Sequence, residues 1–286
     1  MIAEWRSSSR ERALPVRRVA VRVRCRCRNA LDDRPCRSVE AVTITTHNSA
    51  SQVGTKRDCW RWWAYDKSRP KPPPKQSALD GTAIHLVLEN WLRFQLAPDP
   101  TTKAGRTALT GLHLIPQPRT CLVEQQITPT GVLPGFRGKI DFIDVEKYDT
   151  FVIGDHKTVG KWSIMDDKVK TLATDPQRII YSEWAVRTFQ VAALWFLWVF
   201  YLRGSDQHAR AAWYHATAAE IAVDFARLER DDVEPMRRAL PMLPDRIDEF
   251  PRTLTACGKY GGCPYRSECL ATVPPRELAA AMLAAA

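Results

Sequence analysis

Five short apolar runs bounded by turn residues have the pattern of β-strands. The longest, Val191–Leu202, is twelve residues, which suits a buried strand and is too short to span a bilayer. We expect tight turns around Tyr148 and Ser205, which would make hairpins of the second and third strands and of the fourth and fifth. The predicted strands are Leu122–Ile127, Lys139–Val145, Thr150–His156, Val191–Leu202 and Ala209–Thr217.

Segments with helical spacing lie around these strands. Leu79–Leu96 places Ile84, Leu88 and Leu92 on one face. A second helix has Pro176 in its first turn, where the missing N–H is harmless, and Thr174 or Asp175 can cap it. A third is predicted from Ala218 to Leu240, and residues 98–118 are predicted to be mostly loop. Together these elements predict an α/β fold, a central mixed sheet flanked by helices.

Charge and composition narrow the class of protein. The 286 residues are 45% hydrophobic and 26% charged, as in soluble globular proteins, and the net charge of +10 favours a polyanionic partner such as nucleic acid. Residues 1–48 are rich in arginine and are predicted to be a disordered basic arm, with one domain over 49–286. The first residues lack the apolar run of a signal peptide, so we expect a cytoplasmic protein without membrane contact.

Two acids and a lysine stand on the predicted hairpin that joins the second and third strands. Asp141 and Asp155 are far enough apart in sequence to lie on adjacent strands, and Lys157 shares the face of Asp155. Two carboxylates can hold Mg²⁺ or Mn²⁺, with the backbone carbonyl of His156 as a further ligand, and the lysine can act on a water or a developing charge. The alternative is an exposed hairpin with ordinary surface charges.

A histidine on the first predicted helix extends this set. His85 follows Gly81 by one helical turn and precedes the sheet. Its imidazole could complete a metal shell with the two aspartates, and Glu89, one turn further, could hold the other ring nitrogen. A histidine on a helix face is otherwise structural or exposed.

An aromatic and basic segment, Arg57–Lys67, precedes that helix. Its side chains could stack on the bases of a single strand, or they could pack around a metal cluster. The residues concerned are Arg57, Trp60, Arg61, Trp62, Trp63 and Tyr65.

Four short motifs in order carry a family resemblance. They are GTAIH (Gly81–His85), GKID (Gly138–Asp141), DHKT (Asp155–Thr158) and QRIIY (Gln177–Tyr181). This series resembles the G-x-x-x-H, G-x-x-D, D-x-K-T and Q-x-x-x-Y motifs of the RecB-like PD-(D/E)XK nucleases, over residues 49–269. Ile140 replaces the proline of the family name, and the third motif has aspartate, both usual in this branch.

The resemblance implies a restriction-endonuclease-like core and hydrolysis of DNA phosphodiesters with Mg²⁺ or Mn²⁺. It implies His85, Asp141 and Asp155 as metal ligands and Lys157 as the catalytic lysine. Gln177 and Tyr181 would orient that lysine and contact the DNA strand. An exonuclease acting on single strands or duplex ends is expected, in recombination, repair or phage DNA processing.

The cysteines extend the resemblance. Eight cysteines in a reducing compartment indicate metal or a cluster rather than disulfides. Cys257, Cys263 and Cys269 have C-x₅-C-x₅-C spacing, and Cys59 lies far upstream. This set resembles the [4Fe–4S] site of the iron–sulfur members of the family, which are AddB-type helicase-nucleases, CRISPR adaptation nucleases and phage exonucleases. The resemblance implies a cluster lobe formed by the N- and C-terminal parts. A Cys₄ zinc site is the alternative.

Two other functions remain open from the sequence. One is a nuclease that trims DNA within a larger adaptation or recombination complex, with partner proteins. The other is a non-catalytic iron–sulfur or zinc subunit that only binds nucleic acid; the intact set of Asp141, Asp155 and Lys157 speaks against it.

Overall fold

A five-stranded mixed sheet forms the centre of the computed structural model, which describes residues 44–145, 151–204 and 208–271. The strands follow one another across the sheet in chain order, and only β3 and β4 are parallel. All five predicted strands are present within a few residues of their expected ends. They are β1 (Cys121–Ile127), β2 (Gly138–Asp144), β3 (Val152–Val159), β4 (Ala193–Leu202) and β5 (Ala209–Thr217).

Helices cover both faces of this sheet, so the predicted α/β fold with a central mixed sheet is confirmed. Asp175 caps the helix that begins at Pro176 by accepting from Gln177 N at 2.8 Å, as its sequence predicts. The helices are α1 (Ala50–Asp58), α2 (Trp60–Ser68), α3 (Gln76–Phe94), α4 (Lys103–Leu109), α5 (Trp162–Lys170), α6 (Pro176–Phe189), α7 (Ala218–Leu228), α8 (Glu234–Ala239) and α9 (Arg266–Leu270). A π-helical turn, Glu229–Val233, joins α7 to α8, so the predicted helix of residues 218–240 is one bent helical segment.

The expectation of loop over residues 98–118 is wrong in its middle. Thr102 caps α4 by accepting from Gly105 N at 3.0 Å, and Thr107 and Ala108 are buried against the sheet. Tertiary burial therefore stabilises a short helix that local pattern alone did not indicate. Helix α5, directly after β3, is a further helix that the sequence analysis does not include.

The first described residues belong to the fold. Ile44 and Asn48 are buried, and the backbone of Asn48 exchanges hydrogen bonds of 2.8 Å with Gly135 O and Arg137 N. Residues 44–48 were assigned to the basic arm, so the ordered chain begins earlier than Ser49. The rest of that arm and the predicted turns around Tyr148 and Ser205 lie outside the described residues.

The two faces of the sheet have separate hydrophobic cores. On one face α3 and α4 pack over Leu197, Val199 and Tyr201. On the other face α6 and α7 pack over Phe196, Trp198 and Phe200. The central strands β3 and β4 are therefore buried on both sides, which explains their nearly continuous apolar runs.

The N- and C-terminal parts of the described chain meet beside the second core. Trp60 stacks on Phe250 with ring centroids 5.9 Å apart, and Tyr65 stacks on Tyr265 at 5.1 Å. Arg61 N donates to Pro251 O at 3.1 Å. This packing brings α2 and the segment before α9 into one lobe. No helix in the described part of the chain is long and apolar enough to cross a membrane.

Candidate active site

Antiparallel pairing of β2 and β3 brings two buried aspartates together. Phe142 pairs with Gly154, so Asp141 and Asp155, the adjacent residues, lie side by side. They are 6% and 3% exposed. Only glycine fits at position 154, because a Cβ there would meet the ring of Phe142 at 1.8 Å. Two carboxylates without room for solvent need donors around them.

Lys157 and Gln177 supply the donors of Asp155. The Lys157 ammonium contacts one oxygen of Asp155, and the side-chain amide of Gln177 donates to the other. Lys157 also donates to Gln177 Oε1 at 2.6 Å. The three side chains form a closed triangle between β3 and the first turn of α6.

Asp141 has a different set of neighbours. Its Oδ2 accepts from the backbone N–H of His156 at 2.7 Å and lies 3.4 Å from Nδ1 of His85 on α3. The ring of His156 lies on the side of α3, where it contacts the rings of His85 and Tyr201, each with centroids 5.7 Å apart. The fold therefore places His85, which the sequence assigns to a helix, beside Asp141, which the sequence assigns to a hairpin strand.

The pKa values of the two aspartates are shifted in opposite directions. Burial, reinforced by the charge of Asp141, raises the pKa of Asp155 to about 6, although Lys157 opposes the shift. Burial would also raise the pKa of Asp141, but its hydrogen bond to His85 and the nearby imidazoles hold that pKa below the usual range. Asp141 is therefore the more firmly ionised of the pair.

Lys157 is held in its charged form. Burial would lower the pKa of its ammonium, but the charge and hydrogen bond of Asp155, with the charges of Asp141 and Asp175, raise that pKa. Burial lowers the pKa of His156 to about 4, so that imidazole is neutral at pH 7. The site thus presents a fixed cation next to two carboxylates.

Two motif glycines make room for these side chains. A Cβ on Gly138 would meet the ring of Tyr181 at 2.8 Å, and one on Gly81 would meet Thr158 Oγ1 at 3.0 Å. The Tyr181 hydroxyl accepts from Lys139 N at 3.4 Å, and burial followed by the charge of Asp155 raises its pKa. The four motifs therefore meet in space, by direct contact between their residues.

Glu124 is a buried carboxylate of this region that sequence reasoning missed. It lies on β1 opposite Asp141, its side chain is 7% exposed, and it contacts the ammonium of Lys139. Its φ of 58° is left-handed, which is uncommon for a residue other than glycine. The only signal in the sequence was a single acid in the predicted strand of residues 122–127.

A groove of about 1060 Å³ opens in front of the site. Lys157, Gln177 and Tyr181 line this groove together with residues of α1, among them Ser51 and Thr55, and α1 packs beside α6. A capping box from Ser49 to Gln52 fixes the start of α1, and that signature is readable in the sequence.

The four predicted cluster cysteines line a second, smaller cavity in the lobe of α2 and the C-terminal segments. They are Cys59, Cys257, Cys263 and Cys269. None of the described cysteines is in a disulfide. Burial and the nearby thiols raise the pKa of Cys257, and burial raises that of Cys263 to about 11.

Neither the carboxylate site nor the cysteine cavity is a formed metal site in this structure. Within the described residues, no three histidine, cysteine, aspartate or glutamate side chains are grouped so that they could hold a metal ion. At the carboxylates the lysine, the amide and the His156 N–H occupy the oxygens instead.

The residues of the aromatic and basic segment, Arg57–Lys67, have different environments. Trp63 and Tyr65 are buried, and Arg57 pairs with Asp232. Among the aromatic residues of this segment, only Trp62 lines the groove.

Comparisons with known proteins find one family model and two solved structures with low sequence identity to this chain. The chain is similar to a candidate exonuclease from Eubacterium rectale, at 12% identity and a TM-score of 0.45, over 72% of this chain and 84% of that one. It is also similar to an alkaline exonuclease from Laribacter hongkongensis, at 14% identity and a TM-score of 0.34, over 69% of this chain and 95% of that one. No curated protein matches the chain.

A family model matches residues 112–270, more than half of the chain, and its description is PD-(D/E)XK nuclease superfamily. The matched range contains β2, β3 and α6, and with them Asp141, Asp155, Lys157 and Gln177. His85 and Cys59 lie outside it and join the site and the lobe through packing. The chain therefore belongs to the PD-(D/E)XK nuclease superfamily.

Proposed function

We propose that this protein is a metal-dependent deoxyribonuclease, with Asp141, Asp155 and Lys157 at its active site. The observation that carries the proposal is the contact triangle of Asp155, Lys157 and Gln177 beside the buried Asp141 and its partner His85. Surface charges on a hairpin would not be buried and mutually hydrogen-bonded in this way. The alternative of an exposed hairpin is thereby disfavoured.

The donor set suits Mg²⁺ or Mn²⁺. Carboxylate oxygens of Asp141 and Asp155 are hard ligands, and an imidazole nitrogen from His85 is compatible with Mn²⁺ as well. The backbone carbonyl of His156 is a further candidate ligand. A divalent ion bound there would supply Lewis acidity and an activated water.

The protein's own groups have separate roles in this mechanism. Lys157, kept charged by its neighbours, stabilises negative charge that develops on the phosphate oxygens. Gln177 fixes the ammonium by accepting its hydrogen bond, and Tyr181 borders the groove through which a strand reaches Lys157. Asp141 stays ionised, so its carboxylate supplies negative charge for a bound cation.

Exonuclease action on single strands or duplex ends is the mode we propose, within recombination, repair or phage DNA processing. A digestion panel of 5′- and 3′-labelled single- and double-stranded DNA with Mg²⁺ and Mn²⁺ tests it. Progressive shortening from one labelled end is expected, whereas internal fragments would indicate an endonuclease. Activity only with added proteins would favour the alternative of a subunit in a recombination or adaptation complex.

Matched charge variants test the residue roles. Asp155→Ala and Lys157→Ala are expected to abolish cleavage while the fold is retained. Asp167→Ala and Lys170→Ala remove an exposed pair of the same charges on α5 and are expected to cleave normally. Wild-type rates in either active-site variant with Mn²⁺ would sink the assignment.

We further propose that Cys59, Cys257, Cys263 and Cys269 hold a [4Fe–4S] cluster. Four thiols around one cavity are the donor type that such clusters take, and an absence of close cysteine pairs argues against zinc. The raised pKa values favour protonated thiols until a cation binds, so assembly would release protons. Protein purified without oxygen should be brown and contain iron; colourless protein with one zinc per chain would reject the cluster.

A further inference from the structure

We propose that the groove in front of Lys157 is the track for a single DNA strand, with Trp62 stacking on one base and Lys71, Arg137 and Lys168 contacting phosphates. This inference rests on the proposed nuclease function and adds the form of the substrate and its contacts. All four side chains line the same cavity as Lys157 and Gln177. A strand that follows them therefore passes the proposed scissile position.

The wall of the groove that α1 forms is shaped for close approach of a chain. Gln52 of α1 lines the groove. Five other α1 residues in its lining recur one turn apart on one helical face, and they are small or polar. Gly54 leaves the middle of this face open, since a Cβ there would meet nothing within 4 Å. These residues are Ala50, Ser51, Gly54, Thr55 and Asp58.

That wall is also fixed in place. Lys56 and Arg57 on α1 both pair with the buried Asp232, each at 2.7 Å. At its other end, Asn48 is hydrogen-bonded to the backbone of Gly135 and Arg137. A wall held at both ends keeps the groove open, so little ordering is needed when a ligand binds.

The charges of the groove are unbalanced toward the positive side. Lys71, Arg137 and Lys168 make no ion pair with any described residue. Lys71 has a carboxyl in its neighbourhood, that of Asp66, on which its charge acts. The acids of the lining are already engaged. Asp58 pairs with Lys259 at 2.5 Å, and Asp175 caps α6. Uncompensated cations along a groove are the electrostatic requirement for tracking a phosphate backbone.

Trp62 supplies the stacking surface. Its neighbours in sequence, Trp60 and Trp63, are committed to packing, because they contact Phe250 and each other. The indole of Trp62 is half-buried, and its N–H donates to Asp66. Burial raises the pKa of that carboxyl, and the hydrogen bonds from Tyr265 and Trp62 only partly oppose the shift. Trp62 lines both the groove and the cysteine cavity and packs against the core. A ring anchored in this way is a rigid platform for a base on its groove side.

Stacking of this kind selects a single strand. In a duplex both faces of each base are covered by the neighbouring base pairs, so an aromatic ring finds a free face only on an unpaired base. The duplex-end alternative therefore requires that the terminal bases separate first.

The test is binding of a fluorescent oligo(dT) strand to the full chain in EDTA, where no cleavage occurs. Lys168→Gln is compared with Lys170→Gln, a neighbour on the same helix that pairs with Asp167 outside the groove. Loss of Lys168 should weaken binding and lower the slope of log Kd against log salt by about 0.7, the value for one phosphate contact on a single strand. Lys170→Gln should leave both unchanged.

Trp62 is tested by a pair of substitutions. Trp62→Ala should weaken oligo(dT) binding by about tenfold, in line with the loss of one base stack, and Trp62→Phe should retain most of the affinity. Circular dichroism melting of each variant separates lost stacking from lost folding. A blunt duplex of the same length should bind more weakly than the strand.

The outcomes are separable from those of the nuclease proposal. Equal salt slopes for Lys168→Gln and Lys170→Gln, equal affinity of Trp62→Ala and wild type, or a duplex that binds as tightly as oligo(dT) would overturn the single-strand track even if DNA is cleaved. If oligo(dT) binds with all the expected losses in the variants, but no DNA is cleaved with any divalent ion, the nuclease proposal would be rejected and the single-strand track would be retained.

Discussion

The ammonium of Lys157 lies 2.6 Å from the side-chain oxygen of Gln177, and the same amide donates to the carboxylate that Lys157 contacts. Strand β3 carries the lysine and the aspartate, whereas α6 carries the glutamine. The amide therefore sets the distance between cation and carboxylate, because it bonds to both. Its hold on Lys157 depends on the start of α6, which Asp175 and Pro176 fix.

Gln177→Ala should reduce kcat by about 10- to 100-fold, the usual effect of losing an orienting partner, with a smaller change in KM for DNA. The lysine and the carboxylate would remain, but their relative positions would relax. Gln76→Ala removes an exposed glutamine on α3 and should leave both constants unchanged. A kcat equal to that of wild type would show that Lys157 needs no such partner.

Divalent ions should stabilise the folded protein through the same carboxylates. At a Mn²⁺ concentration 100 times its Kd, the gain in unfolding free energy is about 2.7 kcal/mol, which raises Tm by several degrees. Asp141→Asn and Asp155→Asn should lose most of this increase, and Asp167→Asn should keep it. Calorimetry in EDTA and in Mn²⁺ measures the difference; a full increase in both active-site variants would place the ion elsewhere.

Gly138 should be sensitive to even one added methyl group. In Gly138→Ala the new Cβ would meet the ring of Tyr181 at 2.8 Å, so the ring must move away from the groove wall. We expect cleavage to fall at least tenfold and stability to fall by about 1–3 kcal/mol, as in other overpacked sites. Gly258→Ala is the control, since nothing lies within 4 Å of its added Cβ. Unchanged cleavage in Gly138→Ala would mean that Tyr181 has no part in the reaction.

The strands and the site could be predicted because their residues carry local signals. A continuous apolar run identified β4, and Asp175 followed by Pro176 identified the start of α6. The four motifs gave His85, Asp141, Asp155 and Lys157 as one group, and the structure brings their side chains together.

Features that depend on distant contacts could not be predicted from sequence. Helix α4 is stable because Ala108 is buried against the sheet, and the segment of residues 98–118 has no strong local pattern. The left-handed φ of Glu124 has no sequence signature, because any non-glycine residue would usually avoid it. The aromatic segment allowed stacking or packing for every ring, and only the fold separates Trp62 from Trp63.

Lys67 should make stability depend on pH in the alkaline range. Its Nζ is buried and donates to the carbonyls of Thr45 and His47 at 3.1 and 2.6 Å, which ties the first described residues to α2. Burial, reinforced by the charge of Lys71, lowers the pKa of this ammonium from 10.5 to about 8. The folded protein therefore releases the proton at a lower pH than the unfolded chain does.

The sign follows from proton linkage. Between about pH 8 and 10.5 the unfolded chain binds more protons at this residue, so its contribution to the unfolding free energy rises with pH. The full cost of burying the charge is present below pH 8. In urea titrations, wild type should gain stability relative to Lys67→Met across that window, by up to about 3 kcal/mol. Other groups that titrate there cancel in the difference. Lys170→Met, which changes an exposed lysine, should give a flat difference; a flat difference for Lys67→Met would mean that its ammonium is not destabilised by burial.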